Sequence, residues 1–306
     1  MGYTRWTDDD WKGYATTAST KSIRDTFVNR GMKDELDPAK IVMRESRDSA
    51  ANPESTAIIL GLDVTGSMGR IAHEMAKEGL GKVMGEIFSR GTVSDPHIMT
   101  LAIGDANCDR APLQATQFEA DLEIAQQLTD LYLEGGGGGN SFESYNLPWV
   151  FASMKTSIDC FEKRGKKGYL FTIGDEEAPA ALTKEQLKRF LGEDVQSDIS
   201  TEDALAMAER MYNVFHIVVE EGSHCRYSGK DRVMQSWNAI LGQRVIPLSD
   251  YTKLPEVIIS AIEVIEGKDR DEVVKSWSGD TSLVVAHATS GLVANPTDTG
   301  DDVVIF

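Results

Sequence analysis

Five short apolar runs limit what this chain can become: AIILGLD (57–63), HIMTLAIGD (97–105), GYLFTIGD (168–175), NVFHIVVE (213–220) and RVIPL (244–248). Each is short for a buried helix and too continuously apolar for a strand with one wet face. Each therefore reads as a strand covered on both sides. Helical spacing fills the intervals. In residues 69–90, Ile71, Met75, Leu80, Val83, Met84, Ile87 and Phe88 recur at mostly helical spacing, and residues 120–133, 142–163, 231–241 and 255–266 read as further helices, as do LTKEQLKRFL and TEDALAMAERM. Strands alternating with helices make a parallel sheet with helices on both faces. The expected fold class is α/β: doubly wound, mostly parallel and Rossmann-like, with residues 114–118 as an edge strand.

The flanks differ in character. Residues 1–55, with WTDDDW and RESRDSAANPES, are polar and irregular, and read as an N-terminal arm with one short helix over 21–30 that ends at the Asn52-Pro53 turn. The domain proper covers 56–267. Residues 268–306, ending NPTDTGDDVVIF, read as a C-terminal extension and acidic tail running over the surface. The net charge of −18, from 49 acidic against 31 basic residues, argues against nucleic acid and anionic membrane surfaces as partners. It suits cations, basic partners or plain solubility. No apolar run approaches the 18 residues of a membrane span, and MGYTRWTDDDWKGY lacks an apolar leader. Cys108, Cys160 and Cys225 are odd in number and widely spaced, which reads as reduced thiols and a cytoplasmic location.

Ligands of doubly wound sheets bind beyond the carboxyl ends of the strands. Those ends carry Asp63, Asp105 and Asp175, whose mutual repulsion calls for a positive charge among them. A hard divalent cation with oxygen ligands is the simple candidate. In DVTGSMG, Thr65 and Ser67 supply neutral oxygens at alternate positions after Asp63, and Ser67 can also cap the following helix.

These motifs resemble those of the von Willebrand factor A domain, the fold shared with integrin inserted domains. The likeness covers about residues 57–266 and looks closer to bacterial and alpha-kinase-linked members than to integrins. The family's metal-ion-dependent adhesion site uses D-x-S-x-S after the first strand, a threonine in a second loop and an aspartate after the fourth strand. Carried over, the resemblance implies a site of Asp63, Thr65, Ser67 and Asp175, completed by Asn140 or Ser141 after the pentaglycine 135–139. Thr65 preserves the hydroxyl of the first serine. The second-loop threonine is missing, and Glu143 is a further alternative to Asn140 and Ser141. The resemblance implies Mg²⁺ as the ion, with Mn²⁺ able to replace it, and a protein partner that supplies an Asp or Glu to the metal. A MoxR-type AAA+ ATPase is a partner implied in the same way.

Two rival readings use the same residues: a metal-dependent hydrolase, and a structural subunit with an architectural metal. The hydrolase needs a positioned nucleophile or base, and the sequence offers none that convinces. The pentaglycine lacks the Gly-Lys-Ser/Thr of a phosphate loop. The histidines show no paired ligand spacing, and His216 reads as a packed strand residue. The adjacent pair His224-Cys225 is weak as a nucleophile, and Met75, Met84, Met207 and Met211 read as core. The expectation is a binding module and not an enzyme.

Overall fold

The computed structural model describes residues 6–133 and 142–294. A six-stranded sheet forms its centre, built from β1 (Thr56–Asp63), β2 (Pro96–Ile103), β3 (Leu113–Ala115), β4 (Gly168–Gly174), β5 (Tyr212–Val219) and β6 (Val245–Leu248). The spatial order is β6-β5-β4-β1-β2-β3, parallel throughout except for antiparallel β3 at one edge. All eight residues of β1 are buried. Its alternating side chains feed two cores: Ile58, Leu60 and Leu62 on one face, Ala57 and Ile59 on the other. The continuous apolar run is thus explained by helices on both sides.

On the first face lie residues 69–90 and the helix Leu254–Ile265; on the second lie Leu147–Lys155, Thr201–Ala208 and Lys230–Leu241. The helix over 69–90 contains a π-helical turn at Met75–Gly79 between α-helical Gly69–Glu74 and Leu80–Arg90. From β1 the chain winds outward to β2 and β3, then crosses back to β4, β5 and β6. The direction of winding reverses between β1 and β4, which opens a crevice at their carboxyl ends.

Four local expectations are corrected. The arm contains a helix at Asp8–Ala18, capped by Thr7, and the helix expected over 21–30 shrinks to Ile23–Thr26. The arm is also less irregular than its composition: Phe27, Leu36 and Ile41 join the cores, and Arg44–Ser46 forms a strand. The helix expected over 142–163 is interrupted, because Thr156–Ile158 pairs in parallel with that arm strand. Beyond residue 267 the chain forms helices Arg270–Lys275 and Asp280–Ala288, and Val273, Val284, Val285, Ala288 and Leu292 enter the core. Those residues are therefore not a surface tail. Residues 295–306 and the pentaglycine loop lie outside the described residues.

Candidate functional site

The crevice between β1 and β4 is where the acidic strand ends meet. Asp63 closes β1 and is 1% exposed. Its Oδ1 accepts hydrogen bonds from the Thr65 backbone N–H and hydroxyl, both at 2.8 Å. Oδ2 accepts from the Tyr145 hydroxyl at 2.8 Å. The turn then needs Gly66, whose φ of +44° lies in the left-handed region, before the helical segments starting at Gly66–Met68 and Gly69–Glu74. Ser67 sits within the first of these.

Tyr145 is held by aromatic packing. Its ring meets His216 edge-on at 4.9 Å and Trp237 at 5.6 Å, while His216 and Trp237 stack at 3.7 Å. The hydroxyl also passes so close to β4 that a Cβ at Gly174 would lie 2.0 Å from it. Glycine at 174 is what lets Tyr145 reach Asp63. Asp175, directly after β4, is buried, and its Oδ2 accepts from the His224 backbone N–H at 2.8 Å.

Glu143 completes the cluster. It is 1% exposed, with Oε1 3.1 Å from the Thr65 hydroxyl. Among the described residues its buried Oε2 has no hydrogen-bond partner, nor has Oε2 of Glu176. A buried acceptor left unsatisfied costs about 1–3 kcal/mol. The Glu143 segment is latched from below: the Ser144 N–H donates to the Gly104 carbonyl at 3.1 Å, and the Ala106 N–H donates to Ser144 Oγ at 2.9 Å.

Burial and crowding raise the acids together. Burial pushes Asp63 up to about 7, against the hydrogen bonds from Thr65 and Tyr145, and the charge of Asp175 adds to the rise. Glu143 is pushed up to about 9, by burial first and then by Asp63 and Glu176. Burial, followed by Asp63, Asp175 and Asp105, lifts Glu176 to about 8. Asp175 is raised by burial as well. Among the described residues, no Lys or Arg forms an ion pair with Asp63, Glu143, Asp175 or Glu176; His224 Nδ1 lies 4.0 Å from Glu176.

A divalent cation fits this donor set in its chemistry. The donors are hard oxygens from carboxyls and a hydroxyl, and among the described residues Glu143 Oε2 has no donor and no Lys or Arg forms an ion pair with the cluster. Yet among the described residues no three His, Cys, Asp or Glu side chains form a ready-made metal group. A cation here would draw on hydroxyl oxygens and water as well as carboxylates.

Of the residues singled out in the sequence, Asp63 and Thr65 are in direct contact, and Asp175 lies on the other wall of the crevice. The backbone of Ser67 lies on the same turn, and Asn140 and Ser141 fall outside the described residues. Asp105 is engaged in its own turn, accepting from the Asn107 N–H at 2.9 Å and its side-chain amide at 2.7 Å. Sequence reasoning missed Tyr145 and Glu176 and ranked Glu143 behind Asn140 and Ser141. Glu176 follows Asp175 directly in IGDEEAP, which was the available signal.

No protein-family model matches the chain, and no curated protein does. Similar solved structures include the pilus adhesin SpaC from Lactobacillus rhamnosus GG, 10% identical over 72% of this chain and 31% of that one, with a TM-score of 0.45. A von Willebrand factor type A protein from Catenulispora acidiphila is 15% identical over 71% of this chain and 44% of its own, at 0.38. The conserved hypothetical protein BatB from Bacteroides thetaiotaomicron is 11% identical over 67% and 95%, also at 0.38. The chain thus spans under half the length of the first two. At these scores the likenesses carry no argument, and the mostly parallel α/β fold rests on the sheet itself.

Proposed function

We propose that this chain is a metal-dependent protein-binding module of the von Willebrand A type, working in the cytoplasm and without catalysis. The observation that carries the reading is the buried oxygen cluster at the β1/β4 crevice, which among the described residues has no Lys or Arg ion pair and in which Glu143 Oε2 has no hydrogen-bond partner. Asp63, Thr65, Ser67 and Asp175, with Asn140 or Ser141 after the pentaglycine, are the residues proposed to hold Mg²⁺, or Mn²⁺ in its place. Glu143, in contact with the Thr65 hydroxyl, is a further oxygen donor. When bound, the ion supplies a positive charge that a partner's carboxylate can ligate.

The chain's own part is to orient and to hold charge. Thr65 and Tyr145 fix both oxygens of Asp63, so that the carboxylate is set before any ligand arrives. The His224 N–H does the same for Asp175. Glu143, raised to about 9, holds a proton near neutral pH when no cation is present, which limits the repulsion inside the cluster. The partner is a protein presenting an Asp or Glu, for which a MoxR-type AAA+ ATPase is one proposed identity.

Affinity capture with wild type and Asp63→Ala, each in Mg²⁺ and in chelator, tests this. A partner retained by wild type in Mg²⁺ alone is the expected result. Equal retention in all four arms would remove the metal from the mechanism. Phosphoester or peptide turnover abolished by Asp175→Ala would replace the binding reading with the hydrolase.

A further inference from the structure

The five residues Asp63 to Ser67 have two sides. Asp63 and Thr65 face the acidic cluster, whereas Val64 and Gly66 line a separate cleft of about 460 Å³ on the outer side of the turn. Its remaining walls are Ile23, Arg24 and Phe27 from the N-terminal arm, Gly69 and Arg70 from the helix start, and Leu133. Ile23 is 38% exposed although apolar, and Phe27 and Val64 are buried behind it. Among the described residues neither Arg24 nor Arg70 forms an ion pair with a carboxylate. Arg70 instead donates to the Glu221 carbonyl at 3.3 Å and lies 5.1 Å over the Tyr251 ring, with its Nε buried and lacking a partner.

In a chain of net charge −18, this apolar hollow is flanked by two arginines that form no ion pair among the described residues. The charge complement is an acidic segment, and the hollow is the complement of an aliphatic or aromatic side chain. We propose that this cleft binds an acidic-apolar segment of the partner protein: an apolar side chain enters among Ile23, Phe27, Val64 and Leu133, and a second carboxylate meets Arg24 and Arg70. The proposal rests on the binding reading above, since one segment crossing the turn would place its first carboxylate on the cluster side. It gives the N-terminal arm a role in choosing the partner. Steering by the two guanidinium groups also offsets the repulsion an acidic segment meets from the surrounding surface.

The test uses the full chain and a random twelve-residue peptide display library, selected on wild type in Mg²⁺. Selected peptides are resynthesised, and their affinities are compared on wild type, Arg24→Glu, Ile23→Glu and, as a control on the opposite face, Arg210→Glu. Circular dichroism confirms that each variant folds. The expected result is peptides that pair an Asp or Glu with a nearby Leu, Ile or Phe and bind Arg24→Glu and Ile23→Glu at least tenfold more weakly, with Arg210→Glu unchanged. Peptides without that pairing, equal binding to all four proteins, or no selected peptide at all would overturn it. Chelator separates the two readings. Peptides lost in chelator but indifferent to Arg24 and Ile23 leave the metal reading standing and sink the cleft. Peptides that keep their dependence on Arg24 in chelator leave the cleft and sink the metal.

Discussion

Two groups of carboxylates in this molecule are treated in opposite ways. Where the N-terminal arm meets the segment after the Leu147–Lys155 helix, Asp48, Asp159 and Glu162 are interleaved with Arg47, Lys163 and Arg164. Arg47 donates to Asp159 at 2.8 Å and to Glu162 at 2.7 Å, Lys163 lies 2.6 Å from Asp159, and Arg164 lies 2.8 Å from Asp48. Burial acts to raise Asp48, but Arg164, Ser55 and Lys163 outweigh it and hold the carboxyl well below its usual range. Asp159 is lowered in the same manner by Lys163, the Asp48 N–H and Arg47, and Glu162 by Ser157 and then Arg47. Among the described residues, Asp63, Glu143, Asp175 and Glu176 of the β1/β4 crevice form no ion pair with Lys or Arg, and all four are raised. The paired group fastens the arm to the domain. Burying acids without cations adds no stability, and the cation proposed above would neutralise the crevice.

The contrast breaks or sharpens most visibly with pH. In metal-free protein, Asp63, Glu176 and Glu143 have folded-state values of about 7, 8 and 9, above those of the unfolded chain. Their contribution is full below roughly pH 4 and is lost as pH rises through those folded values. Asp48, Asp159 and Glu162 are lowered, so theirs is full above roughly pH 4 and lost as pH falls further. Urea unfolding in chelator should find maximal stability near pH 4, roughly where the two windows meet. The fall from there to pH 9 should exceed the effect of any single substitution below. A flat or rising profile over that range would contradict the unneutralised cluster.

Next in size is the loss of a paired acid. Asp159→Ala strips Arg47 of one partner and leaves the Asp48 N–H without its 2.8 Å acceptor. It should cost about 3 kcal/mol in urea unfolding at pH 7. A cost within roughly 0.5 kcal/mol, that of an ordinary surface change, would mean the network does not fasten the arm.

Glu143→Gln should behave in the opposite sense. It removes an acid from the crowded crevice while keeping an oxygen beside Thr65, so in chelator at pH 8 it should gain about 1 kcal/mol. A loss as large as that of Asp159→Ala would show that Glu143 is a fastening residue like those of the network.

The two regions also differ in how far the sequence foretold them. The strands were legible because burial on both faces writes an unbroken apolar run, as in AIILGLD, and the acids at their ends mark the crevice without further help. Tyr145 was not legible as a partner of Asp63. The two lie 82 residues apart, and their contact depends on the order of β1 and β4 and on the missing side chain at Gly174. The strand Thr156–Ile158 was hidden for a similar reason: it interrupts a helical pattern only because Arg44–Ser46 lies beside it. The helix Asp8–Ala18 escaped notice because DDDWKGYATTA has little apolar content, and its Trp11 packs on the helix at Leu80–Arg90 instead. The C-terminal helices were masked by the polar residues around them, though Val273, Val284 and Val285 reach the core.

In metal-free protein Glu143 and Glu176 hold protons near neutral pH, and a cation entering the crevice should displace them. Calorimetric titration of Mg²⁺ into the full chain at pH 7, in two buffers of different ionisation enthalpy, measures both events together. Glu143 and Glu176, raised to about 9 and 8, should give up protons as the ion binds. The account predicts one site, a heat that changes with buffer by the equivalent of about one proton or more released per ion, and loss of the site in Asp63→Ala. No Mg²⁺ binding, a heat independent of buffer, or equal binding by Asp63→Ala would contradict it.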